Sequence, residues 1–190
     1  AALKLLAEDS FSALSLREVA REAGIAPTAF YRHFESMEAL GLTLIDESFR
    51  SMRDMLRGAR AGKLDPTRVI DSSIEILVGG IQERPEHWRF IARERNSGVT
   101  VLRYAIRTEI RLLTSELAID LARFPALRAW SSEDLHLLAN LIVNAMISMA
   151  EALEDASDAK AVEEIHQQAV KQLRMIIVGV AGWRSRAPES

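Results

Sequence analysis

Between Ser15 and Phe34 the chain reads SLREVAREAGIAPTAFYRHF, two short helical patterns on either side of one glycine. No other feature constrains the fold as tightly. Ser15 with Glu18 three residues on has the form of a capping box, in which each residue satisfies a backbone N–H of the other. Leu16, Val19, Ala20 and Ala23 recur on one helical face, and Ala20 is small where a second helix must cross closely. Gly24 can adopt the left-handed backbone that a sharp turn demands, and Pro27 suits the first turn of the next helix. Ile25 is expected to fill the hollow under the turn, with Phe30 and Phe34 anchoring the second helix to the core. Two helices joined this tightly make a helix-turn-helix. An ordinary helical hairpin shares the outline, so the outward residues must separate the two.

Once Phe30 and Phe34 face inward, Pro27, Thr28, Ala29, Tyr31, Arg32 and His33 are left outward, with no carboxylate until Glu35. Hydroxyls, a guanidinium and an imidazole suit a phosphate-lined groove. Phosphate contacts fix position, while Arg32 has the donors to reach guanine edges. Ser15 and Arg17 open the preceding helix, and helix N-termini attract anions. Bulk charge argues the other way. The chain carries a net −3, and its first fifty residues set five basic side chains (Lys4, Arg17, Arg21, Arg32, Arg50) against eight acidic ones. Only a local arrangement can overturn that balance.

The remaining chain is helical in period, and no strand pattern or repeat interrupts it. Ser36 starts a long pattern that runs out at ARAGKLDP, the first linker-like break, near which a domain boundary is expected. A second pattern covers Val69, Ile70, Ile74, Leu77, Val78 and Ile81. Pro85 opens a short helix, and another runs from about Val99 until just before Pro125. Ser131 or Ser132 caps a helix with Leu135, Leu138, Ile142, Met146, Met149 and Leu153 on one side. EDASD then interrupts, and a last helix spans roughly Lys160 to Trp183. The expectation is an all-α chain, with a three-helix helix-turn-helix domain over 1–45 and a larger helical body over 46–190.

At 190 residues, 48% hydrophobic and 27% charged, the chain has ordinary globular composition. It has no cysteine, so disulfides and thiol-based zinc or redox chemistry are excluded, in keeping with a reducing cytoplasm. MIIVGVAGW, the longest apolar stretch near the end, is too short to span a bilayer. No charged-then-apolar leader opens the chain. The opening AALKLLAEDS enters a helical pattern at once without methionine, as expected if further residues precede it. His33, His87, His136 and His166 are scattered without metal-ligand spacing, and no glycine-rich phosphate loop follows a strand. No enzyme, metal or cofactor is expected. A helical adaptor that binds another protein is a rival of a different class.

The stretch LREVAREAGIAPTAFYRHFESMEALGLTLIDE resembles the DNA-binding domain of the TetR family of transcriptional regulators. Ala20, Gly24, Phe30, Tyr31, His33, Phe34 and Leu40 all stand in family spacing. Within the family, SLREVAREAGIAPTAFYRHF, MEALGLTLIDES and IARERNSG resemble the FabR/DesT-type repressors of unsaturated fatty-acid synthesis. Two departures leave a less basic surface. Ala26-Pro27 replaces the usual polar cap of the recognition helix, and Met37 stands where many members carry a phosphate-gripping lysine. A basic arm upstream of Ala1, usual in such proteins, is expected to supply the missing charge.

The resemblance implies a cytoplasmic homodimer on palindromic operator DNA, paired through the last two long helices and controlled by a small effector. Leu138, Ile142, Ala145, Ile147, Met175 and Val178 are the implied interface. Ala139, Ala145, Ser148 and Ala150 permit close helix approach, and LRMIIVGVAGW is apolar nearly all round; packing within one chain would use the same residues. For the effector, Leu77, Trp88, Ile91, Ile106 and Ile110 offer apolar lining, with Arg93 and Arg95 at a mouth suited to a long-chain acyl-CoA. A core aromatic beside solvated arginines would read the same way. Gly79 and Gly80 open space or permit tight packing. Asn140 and Asn144 line a pocket or bond across the dimer. A drug-responsive regulator of the same family is the nearer alternative.

Overall fold

The computed structural model describes residues 1–6, 9–60, 75, 79 and 81–185. Among these the regular structure is helical throughout: α1 (Ala2–Leu5), α2 (Leu16–Glu22), α3 (Pro27–Phe30), α4 (Met37–Arg60), α5 (Pro85–Glu94), α6 (Thr100–Leu121), α7 (Ser132–Glu154) and α8 (Ala159–Gly182). Short 3-10 turns occupy Phe11–Ala13 and Pro125–Leu127. The all-α architecture with a helix-turn-helix at its start is as the sequence implies. Most of the pattern from Val69 to Val78, and Gly80, lie outside the described residues; Glu75, Gly79 and Ile81 to Glu83 are helical.

Local chemistry places the helix ends. Ser36 Oγ accepts the Ala39 N–H at 3.1 Å to start α4. Ser131, rather than Ser132, caps α7 by accepting from Asp134 N–H. Asp158 accepts from Ala161 N–H at 2.8 Å and starts α8. Proline stands in the first turn of both α3 and α5, where its missing N–H removes no intrahelical bond.

The chain divides into two compact units. The first comprises Ala1–Gly58 with Gly79–Glu109, and the second Ala59–Val78 with Ile110–Ser190. The boundary expected at residue 45 falls inside the first unit, within α4.

In the first unit, α4 buries Leu40, Leu44, Ile45, Phe49 and Met52 at helical spacing. Phe11, Val19, Ala20, Phe30, Phe90, Leu102 and Ile106 are buried too. Gly41 marks the closest approach: a Cβ there would lie 2.7 Å from Leu102 Cδ2 and 2.9 Å from Phe11 Cζ. Polar links cross the same unit. Arg53 pairs with Glu109 at 2.6 Å, and the buried Ser48 hydroxyl donates to Leu44 O at 2.7 Å. With that hydrogen committed, His87 Nδ1–H donates to Ser48 Oγ at 2.8 Å.

In the second unit, Leu127, Leu135 and Leu138 form a core cluster, with Leu121, Trp130, Ile142, Ile176 and Val180 packed on it. Ser185 closes it by donating to Asp134 at 2.5 Å while accepting the Ser131 N–H. That bond, with others from Trp183 and Ser131, holds the Asp134 carboxyl below its usual range.

Candidate nucleic-acid interface

The start of α2 is fixed by the capping box that the sequence implies. Ser15 Oγ accepts the Glu18 N–H at 3.3 Å, and Glu18 Oε2 accepts both the Ser15 N–H at 2.9 Å and its hydroxyl at 2.6 Å. These bonds hold the Glu18 carboxyl below its usual range. They also commit the Ser15 hydroxyl hydrogen, leaving Arg17 as the exposed charged donor of that turn.

The end of α2 is a Schellman turn: Gly24 at φ 68° lets Ile25 N–H reach Ala20 O at 2.9 Å and Gly24 N–H reach Arg21 O at 3.1 Å. Ala20 is fully buried at the crossing. Two expectations fail here. Ile25 does not fill the hollow; its backbone closes the turn and its side chain stays 37% exposed. Ala23 is exposed as well, because α2 ends at Glu22 and the chain turns away from the core.

The regular part of α3 is shorter than the sequence implies. Pro27–Phe30 is α-helical, and Tyr31 to His33 continue as a tighter turn in which Arg32 N–H meets Ala29 O and His33 N–H meets Phe30 O. Ala26 gives no side-chain cap. What holds the segment is aromatic packing. Phe30 is buried, its ring lies 5.4 Å from that of Phe34, and Tyr31 stands edge-on to it at 5.8 Å. Phe34 is half-buried. Pro27, Thr28, Tyr31, Arg32 and His33 face water, Tyr31 at 62% exposure, while Ala29 is half-buried rather than outward.

The acidic balance of this module stands, because each ion pair removes one charge of either sign; what the pairs show is which cations remain exposed. Lys4 bridges to Glu22 at 2.9 Å, raising the lysine and lowering the carboxyl from their ordinary values. Arg50 pairs with Asp46, and Glu18 is folded into the cap. Arg17, Arg21 and Arg32 are exposed and make no ion pair among the described residues. Arg21 joins the residues that the sequence points to; its four-residue spacing from Arg17 places both along one side of α2.

A short capped helix, a left-handed turn and a second helix carrying hydroxyl, imidazole and guanidinium groups define a DNA-binding helix-turn-helix. Residues 1–42 match the family model described as bacterial regulatory proteins, tetR family. This segment is a DNA-binding domain of the TetR type.

The other expected site residues fall as follows. Trp88, Ile91 and Ile106 are buried in the first unit, and Arg95 is half-buried there. Arg93 donates to Leu6 O and Asp9 O. Ile110, Asn140 and Asn144 belong to the second unit, where Asn144 donates to Asn140 Oδ1 at 2.8 Å. Leu77 lies outside the described residues. Leu138 sits in the core cluster with Ile142 packed on it; Ala145 and Ile147 are half-buried. Met175 and Val178 are 74% and 73% exposed; Met175 lines a shallow apolar groove together with the exposed Leu137, Leu141 and Trp183, which periodicity did not single out. Their signal was the neighbouring turn of the same helices.

Length and hydropathy would also let Ser132–Leu153 cross a membrane, unlike the shorter stretch near the chain end. A third of that window is buried within the chain, and its exposed positions include His136, Asn140 and Asn144. No group of His, Asp or Glu among the described residues is arranged to hold a metal ion.

Proposed function

We propose that the chain is a cytoplasmic repressor that binds palindromic operator DNA as a two-fold homodimer and responds to a small apolar effector. Its proposed targets are genes of unsaturated fatty-acid and lipid metabolism, and its proposed effector is a long-chain acyl-CoA. The exposed Thr28, Tyr31, Arg32 and His33, carried on a segment anchored by Phe30, are the observation that carries the DNA half. Pairing through α7 and α8 is supported by the exposed Leu137, Leu141, Met175 and Val178, which water leaves unsatisfied. The lipid assignment rests on the resemblance of IARERNSG and the helix-turn-helix stretch to the FabR/DesT-type repressors. Trp88, Ile91 and Ile106 are its proposed apolar lining, with Arg95 toward the charged end of the ligand.

A ligand alters DNA affinity only by as much as it prefers one arrangement of the two recognition segments over another. A cis double bond bends an acyl chain, so saturated and unsaturated acyl groups would bias that equilibrium differently. The test is binding to a DNA selected in vitro, measured with matched saturated and unsaturated acyl-CoA and with an aromatic drug-like cation. The expected change with one acyl species is roughly 5–150-fold, the ordinary range of allosteric coupling. Indifference to both acyl species, with release by the cation, would assign the protein to the drug-responsive branch instead.

A further inference from the structure

Glu94, the last residue of α5, is fully buried, a position that carboxylates almost never occupy without partners. Its Oε1 accepts the Phe11 N–H at 2.8 Å, and its Oε2 has no hydrogen-bond partner among the described residues. A half-satisfied buried carboxylate is unfavourable, so stability does not explain the glutamate. A leucine of similar size would avoid the desolvation.

The neighbouring side chain acts on the same stretch of backbone. Arg93 Nη1 donates to Leu6 O at 3.2 Å and to Asp9 O at 2.9 Å. Two adjacent residues at the end of α5 therefore hold one N–H and two carbonyls of the segment that leads into α2. Phe11 is fixed through its ring as well, 6.4 Å from Phe90 and in contact range of Gly41. All these residues lie in the first compact unit.

We propose that Arg93 and Glu94 are positioning residues: a clip that sets the orientation of the α2–turn–α3 segment on α5 and so its presentation to DNA. Arg93 thereby acts on the backbone of the N-terminal segment rather than at the mouth of an effector site. The consequence for DNA rests on the function proposed above; the clip itself does not.

Because the chain has no cysteine, Thr28→Cys and Glu86→Cys place two unique spin labels, one on α3 and one on α5. Distances are measured in labelled protein diluted with unlabelled protein, so that pairs within one chain dominate. The backgrounds compared are wild type, Glu94→Gln, which keeps the acceptor for Phe11, and Glu94→Leu, which removes it. Binding of the unlabelled variants to a DNA selected in vitro with the wild-type protein is measured alongside. Glu94→Leu is expected to keep its helix content and melting temperature, to broaden the distance distribution and to weaken DNA binding about tenfold. Glu94→Gln is expected to restore the narrow distribution and most of the affinity. An unchanged distribution in Glu94→Leu, or equal broadening in both variants, overturns the clip. If the distances behave as expected while the wild-type protein selects no DNA, the clip stands and the DNA-binding reading falls.

Discussion

In the α2–turn–α3 segment the side chains left in water include Arg17, Arg21, Thr28, Tyr31, Arg32 and His33, whereas along α7 and α8 they include Leu137, Leu141, Met175 and Val178. The first region is short, closed by caps and a left-handed glycine, and presents donors. The second is built from long helices whose apolar surface continues past what their own core covers. An exposed donor set has water as an adequate partner until a polyanion replaces it. Exposed apolar surface has none, and is satisfied only by burial. One region is therefore suited to binding that comes and goes, and the other to assembly that persists.

The largest test of that contrast is Val178→Asp. A charge on the exposed apolar surface proposed for pairing is expected to remove about 2–4 kcal/mol, the scale of an interface hot spot. Because Val178 is 73% exposed within the chain, helix content should survive while dimers and DNA binding are lost together. Sedimentation that finds the wild-type protein monomeric at micromolar concentration, yet still tight on DNA, would dissolve the distinction between the regions.

Arg32→Ala strikes the other side of the comparison. It should leave assembly intact and relax preference at one base position by roughly 1–3 kcal/mol. A repeat of the in vitro selection with the variant reads this directly, and an unchanged motif would show that Arg32 reads no base. Ser15→Ala should act more mildly, removing the cap of α2 at a cost of about 1 kcal/mol. Thermal denaturation measures it, and an unchanged melting temperature would mean the capping box does not limit stability.

The smallest effect is one of pH. Burial holds His87 below its ordinary 6.5, with Arg84 acting in the same direction and Glu86 and Glu47 opposing. The unfolded chain thus takes up this proton first. Stability from the neutral ring is complete above about 6.5 and declines as pH falls through that value. His87→Gln, which can still donate to Ser48, should flatten the decline in melting temperature between pH 7.5 and about 5.5. Parallel curves for the two proteins would exclude His87 as its source.

Backbone chemistry was the legible part. Ser15, Glu18, Gly24 and Pro27 act within a few residues of themselves, so their order along the chain states their geometry. Ile25 was misread because a Schellman turn uses its N–H and leaves the side chain at the edge. The α-helical part of α3 is shorter than its pattern because after Phe30 the backbone tightens, with Arg32 N–H bonded to Ala29 O and His33 N–H to Phe30 O. Net charge hides position: Lys4 with Glu22 and Arg50 with Asp46 are paired locally, while Arg17, Arg21 and Arg32 stay exposed on the helix-turn-helix, which no sum over fifty residues can show. Glu94 was invisible for the same reason, since its partner Phe11 lies 83 residues away.

Those local pairings have a consequence for how the protein would share its time along a chromosome. Each phosphate neutralised releases counterions, and this sequence-independent attraction scales with the number of cations offered. The segment offers Arg17, Arg21 and Arg32, about six guanidinium groups in a two-fold pair, against the six to ten phosphate contacts of proteins that cling to any duplex. If Arg32 addresses a base, about four remain. By themselves these residues would hold random DNA only loosely, with an affinity that falls less steeply with salt. Their share of the dwell time would then be governed by the few base-reading contacts.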